Sequence, residues 1–214
     1  SYYRAEGFPP EAVWLYLLTV LNSNFEEWHL ANPDADSRAF TFSLEKMSSS
    51  GALFDYEFDP TIMYSLIRSE SFFDPDVTSV AGANGLSQLM EFTAADIARK
   101  LKIKDYSLTD PETNIHFGTY YLKNMISRLE NDYLHGFFAY NAGITRVRRW
   151  LNTSILGFGK KSTMPSDLFL ETLPYTETRE YGRKLVSASI MYKTLYSENP
   201  DKDFKEIIEL LLKF

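Results

Sequence analysis

The sequence predicts an all-α fold with at most one small β-hairpin. Apolar residues recur at steps of three and four along most of the 214 residues, which is the period of a helix that buries one face. No run that alternates between polar and apolar residues is longer than a few positions, so long strands are not expected. Helix-start signals recur as well, such as Asp110 followed by Pro111. With 44% hydrophobic residues, the chain can form one substantial core.

Acidic residues are concentrated at the beginning of the chain. Residues 1–60 contain ten acidic and three basic side chains, whereas residues 61–214 contain equal numbers of both, and the net charge of the whole chain is -7. A shift of this kind near Asp59 indicates a domain boundary. We therefore predict an acidic helical leader, or the remnant of a larger helical domain, in residues 1–58, and a main domain in residues 59–214.

The composition excludes several classes of function. The absence of cysteine excludes disulfides and cysteine-ligated metals. The three histidines, at 29, 116 and 135, lack the spacing of metal ligands, so we expect no metal and no cofactor. Lys and Arg form no large cluster that would bind nucleic acid, and no apolar run is long enough to span a membrane. We expect the protein to be a monomer. Because residue 1 is serine and no export signal begins the sequence, we also expect the chain to be processed or excised from a longer one.

The first element of the main domain is a helix that carries an acid on its buried face. Apolar residues recur at helical spacing from Ile62 onward, and Glu70 occupies the next position on the same face. Desolvation at such a position raises the pKa of a carboxyl group. Asp74 and Pro75 break the helix soon afterwards, so Glu70 lies at a helix end that a cleft can reach. A protonated carboxyl group at the wet edge of an apolar core suits the cleavage of a glycosidic bond.

Two questions about Glu70 stay open at this point. A structural ion pair with Arg68, Arg179 or a lysine would perturb the same carboxyl group. Glycoside cleavage also needs something to stabilise an oxocarbenium-like centre, and this is commonly a second carboxylate. Asp74 and Glu177 are the candidates for that role.

Other elements follow along the chain. Residues 1–60 predict two or three short helices, and the glycine-rich segment 77–90 allows a short hairpin. The polar segment 153–165 is expected to form a mobile loop at the cleft that reaches Glu70. Tyr181 falls on the buried face of a long predicted helix. Apolar periodicity and capping residues predict a helical turn at 167–173 and helices at 93–102, 110–130, 133–142, 144–151, 176–197 and 204–214.

Three groups of residues together resemble the signature of one enzyme family. The first is Arg68–Ser71 with Phe73–Pro75, Ser79, Gly82-Ala83, Gly85-Leu86 and Gln88–Met90; the second is Ala139–Gly143 with Arg146–Trp150; and the third is Glu177–Tyr181. In this order, over about residues 60–195, the chain resembles the soluble lytic transglycosylases of bacterial peptidoglycan. The resemblance implies a lysozyme-like helical catalytic domain over residues 59–214, peptidoglycan glycan strands as the partner, and a location in the bacterial cell envelope, in the periplasm.

The resemblance also implies a mechanism with a single glutamate. Glu70 would protonate the MurNAc-GlcNAc β-1,4 bond, the substrate's own N-acetyl group would act as the internal nucleophile, and the C6 hydroxyl would then attack to leave a 1,6-anhydro-MurNAc end. Two alternatives stay open. Water could replace the C6 hydroxyl, as in a lysozyme-type hydrolase, or the chain could be a non-catalytic glycan-binding or scaffold module.

Six further residues are implied to bind substrate around the acid. Four of them also have an ordinary structural role open to them: Tyr140 could be a core aromatic, Gln88 could bond local backbone, Glu177 could be an acid favoured at a helix start, and Met90 could simply fill space in the core. The implied substrate-binding residues are Ser79, Gln88, Met90, Tyr140, Asn141 and Glu177.

The chain departs from the family pattern at three positions. Ser87 stands where Met is common, and Glu91 and Ile144 stand where Pro is common. We expect the first change to remove an apolar contact near the cleft and the other two to alter loop stiffness. None of them falls on a residue with an implied role in the reaction.

Overall fold

A computed structural model describes residues 59–152, 170–171, 173, 175–197 and 199–212. In these ranges the chain forms seven helices and one two-stranded antiparallel hairpin, which confirms the predicted all-α class. The elements are α1 Pro60–Ser71, β1 Ala83–Asn84, β2 Leu89–Met90, α2 Glu91–Leu101, α3 Pro111–Ser127, α4 Tyr133–Ala142, α5 Ile144–Leu151, α6 Thr176–Leu195 and α7 Pro200–Leu212.

Helix α1 begins where its sequence provides both a cap and a proline. Asp59 accepts a hydrogen bond from the backbone N–H of Thr61 at 3.0 Å, and Pro60 has no N–H to leave unpaired. The carboxylate of Asp59 also forms an ion pair with Lys193 of α6, at 2.7 Å. The start of α1 is therefore tied directly to α6.

The other end of α1 brings Glu70 to the edge of the core. The helix stops because Phe72 takes a left-handed conformation, with φ 52°. Glu70 therefore lies in the last turn, half-buried, as the sequence predicts. The fully buried residues of the apolar face are Ile62, Met63, Leu66 and Ile67.

The glycine-rich segment forms the short hairpin. Strands β1 and β2 are antiparallel, with Ala83 opposite Met90. Gly85 opens the turn with φ 70°, and a Cβ at this position would overlap the backbone carbonyl of Leu108. The turn therefore packs directly on the segment that precedes α3.

Two hydrophobic clusters hold the helices together. The larger is formed mainly by α1, α3, α4 and α6, and the smaller lies between β2, α2 and α3. Tyr121 and Tyr140 are half-buried and pack against both clusters. These two rings therefore mark the junction between the main helical core and the part of the domain that carries the hairpin.

Helices α1 and α6 approach each other through two serines. The hydroxyl groups of Ser65 and Ser189 form a hydrogen bond of 2.7 Å, and both residues are fully buried. Small side chains at this contact allow the two helices to pack closely, and the hydrogen bond satisfies both hydroxyl groups. The contact fixes the register of α6 along α1 and so affects what α6 presents to Glu70.

Helix boundaries differ from the sequence prediction mainly at helix starts. Helix α2 begins at Glu91, an acid that suits a first turn, and not at Thr93. Helix α7 begins at Pro200 and not at Phe204, because proline is well tolerated in a first turn. Predictions for residues 1–58, 153–165 and most of 167–173 lie outside the described residues.

Within the described ranges, no helix is both long enough and apolar enough to cross a bilayer.

Replacing Gly182 with alanine should destabilise the fold. Gly182 is buried in α6 where it passes α4, and a Cβ there would overlap the ring of Phe138. Overpacking of this kind costs about 1–3 kcal/mol. Chemical denaturation should therefore give a lower free energy of unfolding. Ser187→Ala, at an exposed position of the same helix, is the control and should change this value by less than about 0.5 kcal/mol. Equal stability of the two variants would contradict the close packing.

Candidate active site

Glu70 accepts a hydrogen bond from a tyrosine that lies 111 residues further along the chain. The hydroxyl of Tyr181 on α6 donates to Oε1 of Glu70 at 2.5 Å. Burial raises the pKa of the Glu70 carboxyl from 4.5 to about 7, while the hydrogen bond from Tyr181 acts in the opposite direction by favouring the carboxylate. Glu70 therefore gains and loses its proton near neutral pH, which suits a group that acts first as an acid and then as a base.

The structural ion pair considered for Glu70 is not observed. Among the described residues, no Lys or Arg side chain lies within ion-pair distance of its carboxyl group. Arg179 donates instead to the backbone carbonyl of Leu173 at 3.1 Å. The guanidinium carbon of Arg68 lies 5.8 Å from the ring centre of Phe72. Desolvation at the edge of the core is thus the main influence on the Glu70 carboxyl.

Neither candidate for a second carboxylate touches Glu70. Asp74 is exposed, and its carboxylate accepts a hydrogen bond from the backbone N–H of Asp76 at 2.9 Å. Glu177 is exposed in the first turn of α6. At this site the described residues therefore present a single acid, Glu70, held by a phenol, and not a pair of acids.

Tyr140 on α4 is the second phenol near the acid. Its hydroxyl donates to the backbone carbonyl of Ser87 at 2.7 Å, and its ring meets the edge of Tyr121 at a centroid distance of 5.2 Å. Burial, together with the negative charge of Glu70, raises the pKa of the Tyr140 phenol well above its usual value. The group stays neutral at physiological pH, with its proton directed at Ser87.

Three predicted substrate-binding residues lie on or beside the hairpin. Ser79 is half-buried, and its Oγ accepts a hydrogen bond from the backbone N–H of Ala83 at 2.9 Å. Gln88 has φ 48°, and its side-chain amide donates to two backbone carbonyls of the same segment, which is the local role that the sequence left open. Met90 is half-buried at the end of β2.

The side chain of Ser87, which stands where the family pattern commonly has Met, lies in the interior of the domain. Ser87 is fully buried, and a Cβ at Gly118 of α3 would overlap its hydroxyl group. The side chain therefore faces α3, because the turn packs closely on that helix. Only the backbone carbonyl of Ser87 is directed toward Tyr140.

Asn141 and Glu177 lie where α4 meets the start of α6. Asn141 is exposed, and its Oδ1 accepts a hydrogen bond from the hydroxyl of Thr178 at 2.9 Å. Thr178 is buried and follows Glu177 directly. This hydrogen bond joins the second and third groups of the family pattern, although neither Asn141 nor Glu177 contacts Glu70.

A comparison of the sequence with known protein families gives one match that includes Glu70. The family described as the transglycosylase SLT domain matches residues 48–156, about half of the chain. The chain belongs to this family. The SLT match includes Glu70 and Tyr140 but ends before Tyr181, and it begins before the boundary predicted at Asp59.

Relatives with known names match longer stretches of the chain than the family model does, but they are much longer proteins. The soluble lytic murein transglycosylase of Escherichia coli K12 is 35% identical over 140 residues, which is 64% of this chain and 21% of that protein. A solved structure of an inactive Glu→Gln mutant of the lytic transglycosylase Slt from Pseudomonas aeruginosa matches with a TM-score of 0.61 and 31% identity, covering 72% of this chain and 24% of that chain. The chain thus spans about a fifth to a quarter of the length of these SLT relatives.

A relative of another kind matches a shorter stretch. The glutamate–tRNA ligase of Acetivibrio thermocellus is 61% identical over 57 residues, which is 27% of this chain and 10% of that enzyme. Its name differs from those of the SLT relatives, and the stretch is a small part of the ligase.

Tyr181 is the residue of the candidate site that sequence reasoning missed. Sequence analysis places the side chain on the buried stripe of a helix, and the burial is confirmed. It assigns the hydroxyl no role. Two signals were available: a buried tyrosine hydroxyl usually needs a partner, and Tyr181 ends the third group of the family pattern.

Replacing Tyr181 with phenylalanine should raise the pKa of Glu70 further, because the hydrogen bond that favours the carboxylate is lost. Glycan cleavage should also fall by about 10- to 100-fold, since the carboxyl group is no longer held in one orientation. The pH dependence of kcat/KM measures both effects. Tyr175→Phe, an exposed tyrosine just before α6, is the matched control and should leave both quantities unchanged. If the decrease of kcat/KM at alkaline pH occurs at the same pH in Tyr181→Phe as in the unmodified chain, this role is contradicted.

Proposed function

We propose that this chain is a peptidoglycan lytic transglycosylase that cleaves the MurNAc-GlcNAc β-1,4 bond with Glu70 as its only acid–base group. The observation that carries the proposal is the half-buried Glu70 carboxyl, with a pKa of about 7, held by Tyr181 and free of ion pairs among the described residues. Membership of the SLT family and the names of its relatives support the substrate class.

In the first step Glu70 acts as the acid. Because Tyr181 donates to Oε1, the proton of the neutral carboxyl is available on Oε2. It passes to the glycosidic oxygen as the bond between that oxygen and C1 of MurNAc breaks, and the bonding electrons stay with the leaving oxygen. The carbonyl oxygen of the substrate's N-acetyl group attacks C1 and forms an oxazolinium ring. The phenol then stabilises the Glu70 carboxylate.

In the second step the same carboxylate acts as the base. It removes the proton of the C6 hydroxyl, the C6 oxygen attacks C1, and the oxazolinium ring opens to restore the N-acetyl group. The product is a 1,6-anhydro-MurNAc end, no water is consumed, and Glu70 regains its proton. Attack by the substrate's own groups is supported by the lack, among the described residues, of a second carboxylate in contact with Glu70.

The remaining predicted residues would bind and orient the glycan. Tyr140 would contact the N-acetyl group, since its hydroxyl proton is committed to Ser87 and its oxygen can still accept a hydrogen bond. Met90 would form an apolar wall, and Ser79 and Gln88 would hold the hairpin beside the sugar. Asn141 and Glu177 would bind the glycan where the end of α4 meets the start of α6.

Mass spectrometry of purified peptidoglycan incubated with the chain tests the proposal. We expect muropeptides that end in 1,6-anhydro-MurNAc, each lighter by one water than the product of hydrolysis. Hydrolytic products would favour the lysozyme-type alternative, and an unchanged digest would favour a glycan-binding module. Asp74→Asn, which removes an exposed acid four residues after Glu70, is the control and should give the same products at the same rate.

We also propose that residues 1–58 are a separate acidic unit and that residues 59–214 form the catalytic domain. The capping of α1 by Asp59 and its ion pair with Lys193 support a start at this residue. Limited proteolysis of the chain should leave a stable fragment that begins near Asp59. A peptidoglycan substrate would place the activity in the bacterial envelope, in the periplasm where an outer membrane is present.

A further inference from the structure

A fully buried amide lies beneath the hairpin. Asn114 on α3 has no exposed surface, and an amide buried without partners would be costly. Its Oδ1 accepts a hydrogen bond from the backbone N–H of Ser87 at 2.7 Å. Its Nδ2 donates to the backbone carbonyls of Asn84 at 3.0 Å and Leu108 at 2.8 Å. All three partners are backbone groups, so the side chain holds one particular path of the chain.

These hydrogen bonds fix both ends of the turn between β1 and β2. The turn fits closely around the amide, because a Cβ at Gly85 would overlap the side chain of Asn114. Gln88 closes the turn from within, its backbone N–H donating to the carbonyl of Gly85 at 3.0 Å. The place of the Ser87 peptide is therefore set by an amide that lies 27 residues further along the chain.

The carbonyl of Ser87 in turn holds Tyr140, because it accepts a hydrogen bond of 2.7 Å from the hydroxyl of that residue. We propose that Asn114 is a positioning residue for the reaction: by holding the backbone at Ser87, it fixes the direction in which the Tyr140 hydroxyl faces substrate beside Glu70. This inference rests on the proposed function. Asn114 touches no reacting group, and it acts only through the turn and the phenol.

Stability alone does not separate this role from a structural one. Removing the amide leaves buried backbone groups without partners, which lowers the free energy of unfolding in either case. Coupling between Asn114 and the Tyr140 hydroxyl does separate them, because an amide that only stabilises the fold would have the same effect with or without that hydroxyl.

A double-mutant cycle in the full chain measures this coupling. We expect Asn114→Ala to lower kcat by about 10- to 100-fold with little change in KM, since the folded fraction still binds glycan. In a Tyr140→Phe background the same substitution should change kcat by less than about threefold. Met125→Ala, which is buried in the same helix, is the matched control, and its effect should be equal in both backgrounds. Equal effects of Asn114→Ala in both backgrounds would overturn the proposal.

Amide hydrogen exchange tests the first link without any activity. Asn114→Ala should accelerate exchange at the Ser87 amide by at least about tenfold relative to the core amides of α4, because its acceptor is lost. Unchanged protection at Ser87 would overturn the proposal. If circular dichroism shows that this variant is unfolded, Asn114→Ser takes its place in both experiments, with the same outcomes deciding. If the unmodified chain releases no glycan product, the proposed function fails, and exchange at Ser87 still decides whether Asn114 anchors the turn.

Discussion

Replacing Glu70 with glutamine should lower the rate of peptidoglycan cleavage by about 10³-fold or more. Glutamine keeps the shape of the side chain and can still accept the hydrogen bond from Tyr181, but it has no proton to give to the leaving oxygen. A loss of this size corresponds to about 4 kcal/mol of transition-state stabilisation. Release of anhydro-muropeptides from purified peptidoglycan, followed over time at pH 6, measures the loss.

The folded state should not suffer from this substitution. Because the folded pKa of Glu70 is raised, its contribution to stability is lost as the pH rises from about 4.5 to about 7. Above pH 7 the parent keeps a half-buried carboxylate, whereas the variant carries a neutral amide, so the variant should be at least as stable. Thermal unfolding at pH 8 checks this point. Undiminished cleavage by a folded Glu70→Gln variant would rule out Glu70 as the acid.

Cleavage should be nearly independent of pH from about pH 5 to pH 6, be halved near pH 7, and then fall about tenfold with each further unit. The reason is that Glu70 must be protonated to start the reaction, and its pKa is about 7. At pH 9 the rate should therefore be about 100-fold below its value at pH 6. Measuring kcat/KM on short glycan strands over this range gives the pKa of the acid in the free enzyme.

Two variants help to assign that alkaline limb. Tyr181→Phe should move it to higher pH, since the remaining influence of burial raises the pKa of Glu70. Tyr106→Phe should leave it in place, because the hydroxyl of Tyr106 donates to Glu91 and forms no hydrogen bond with Glu70. A limb centred near pH 4.5 in the unmodified chain would mean that Glu70 is ordinarily solvated and that the proposed acid is wrong.

Local sequence signals were enough to place Glu70. The apolar spacing after Ile62, the proline at the start of α1 and the break after Ser71 all act within a few residues of one another, and each is visible in the chain. For the same reason the fold class and the hairpin could be predicted. The predicted starts of α2 and α7 differ from the observed ones because several nearby residues can begin a helix, and packing selects among them.

The contacts that make Glu70 an unusual acid were not predictable in the same way. The partnership with Tyr181 depends on how α6 packs against α1, and that packing depends on buried contacts such as the one between Ser65 and Ser189. Asn114 has no feature in the sequence that sets it apart from other helical asparagines. Its role follows from three backbone groups brought together by separate segments. Such information becomes visible only when the elements are assembled.

The long separation in sequence between Glu70 and Tyr181 has a consequence for the growing chain. When a ribosome has released only the first helices of the domain, the chain already contains Glu70 but not its hydrogen-bond partner. The hydrogen bond from Tyr181 can form only after the helix that carries this residue has been synthesised and has docked. A nascent or clipped polypeptide that stops before residue 175 would therefore carry the Glu70 carboxyl without the tyrosine that holds it in one orientation.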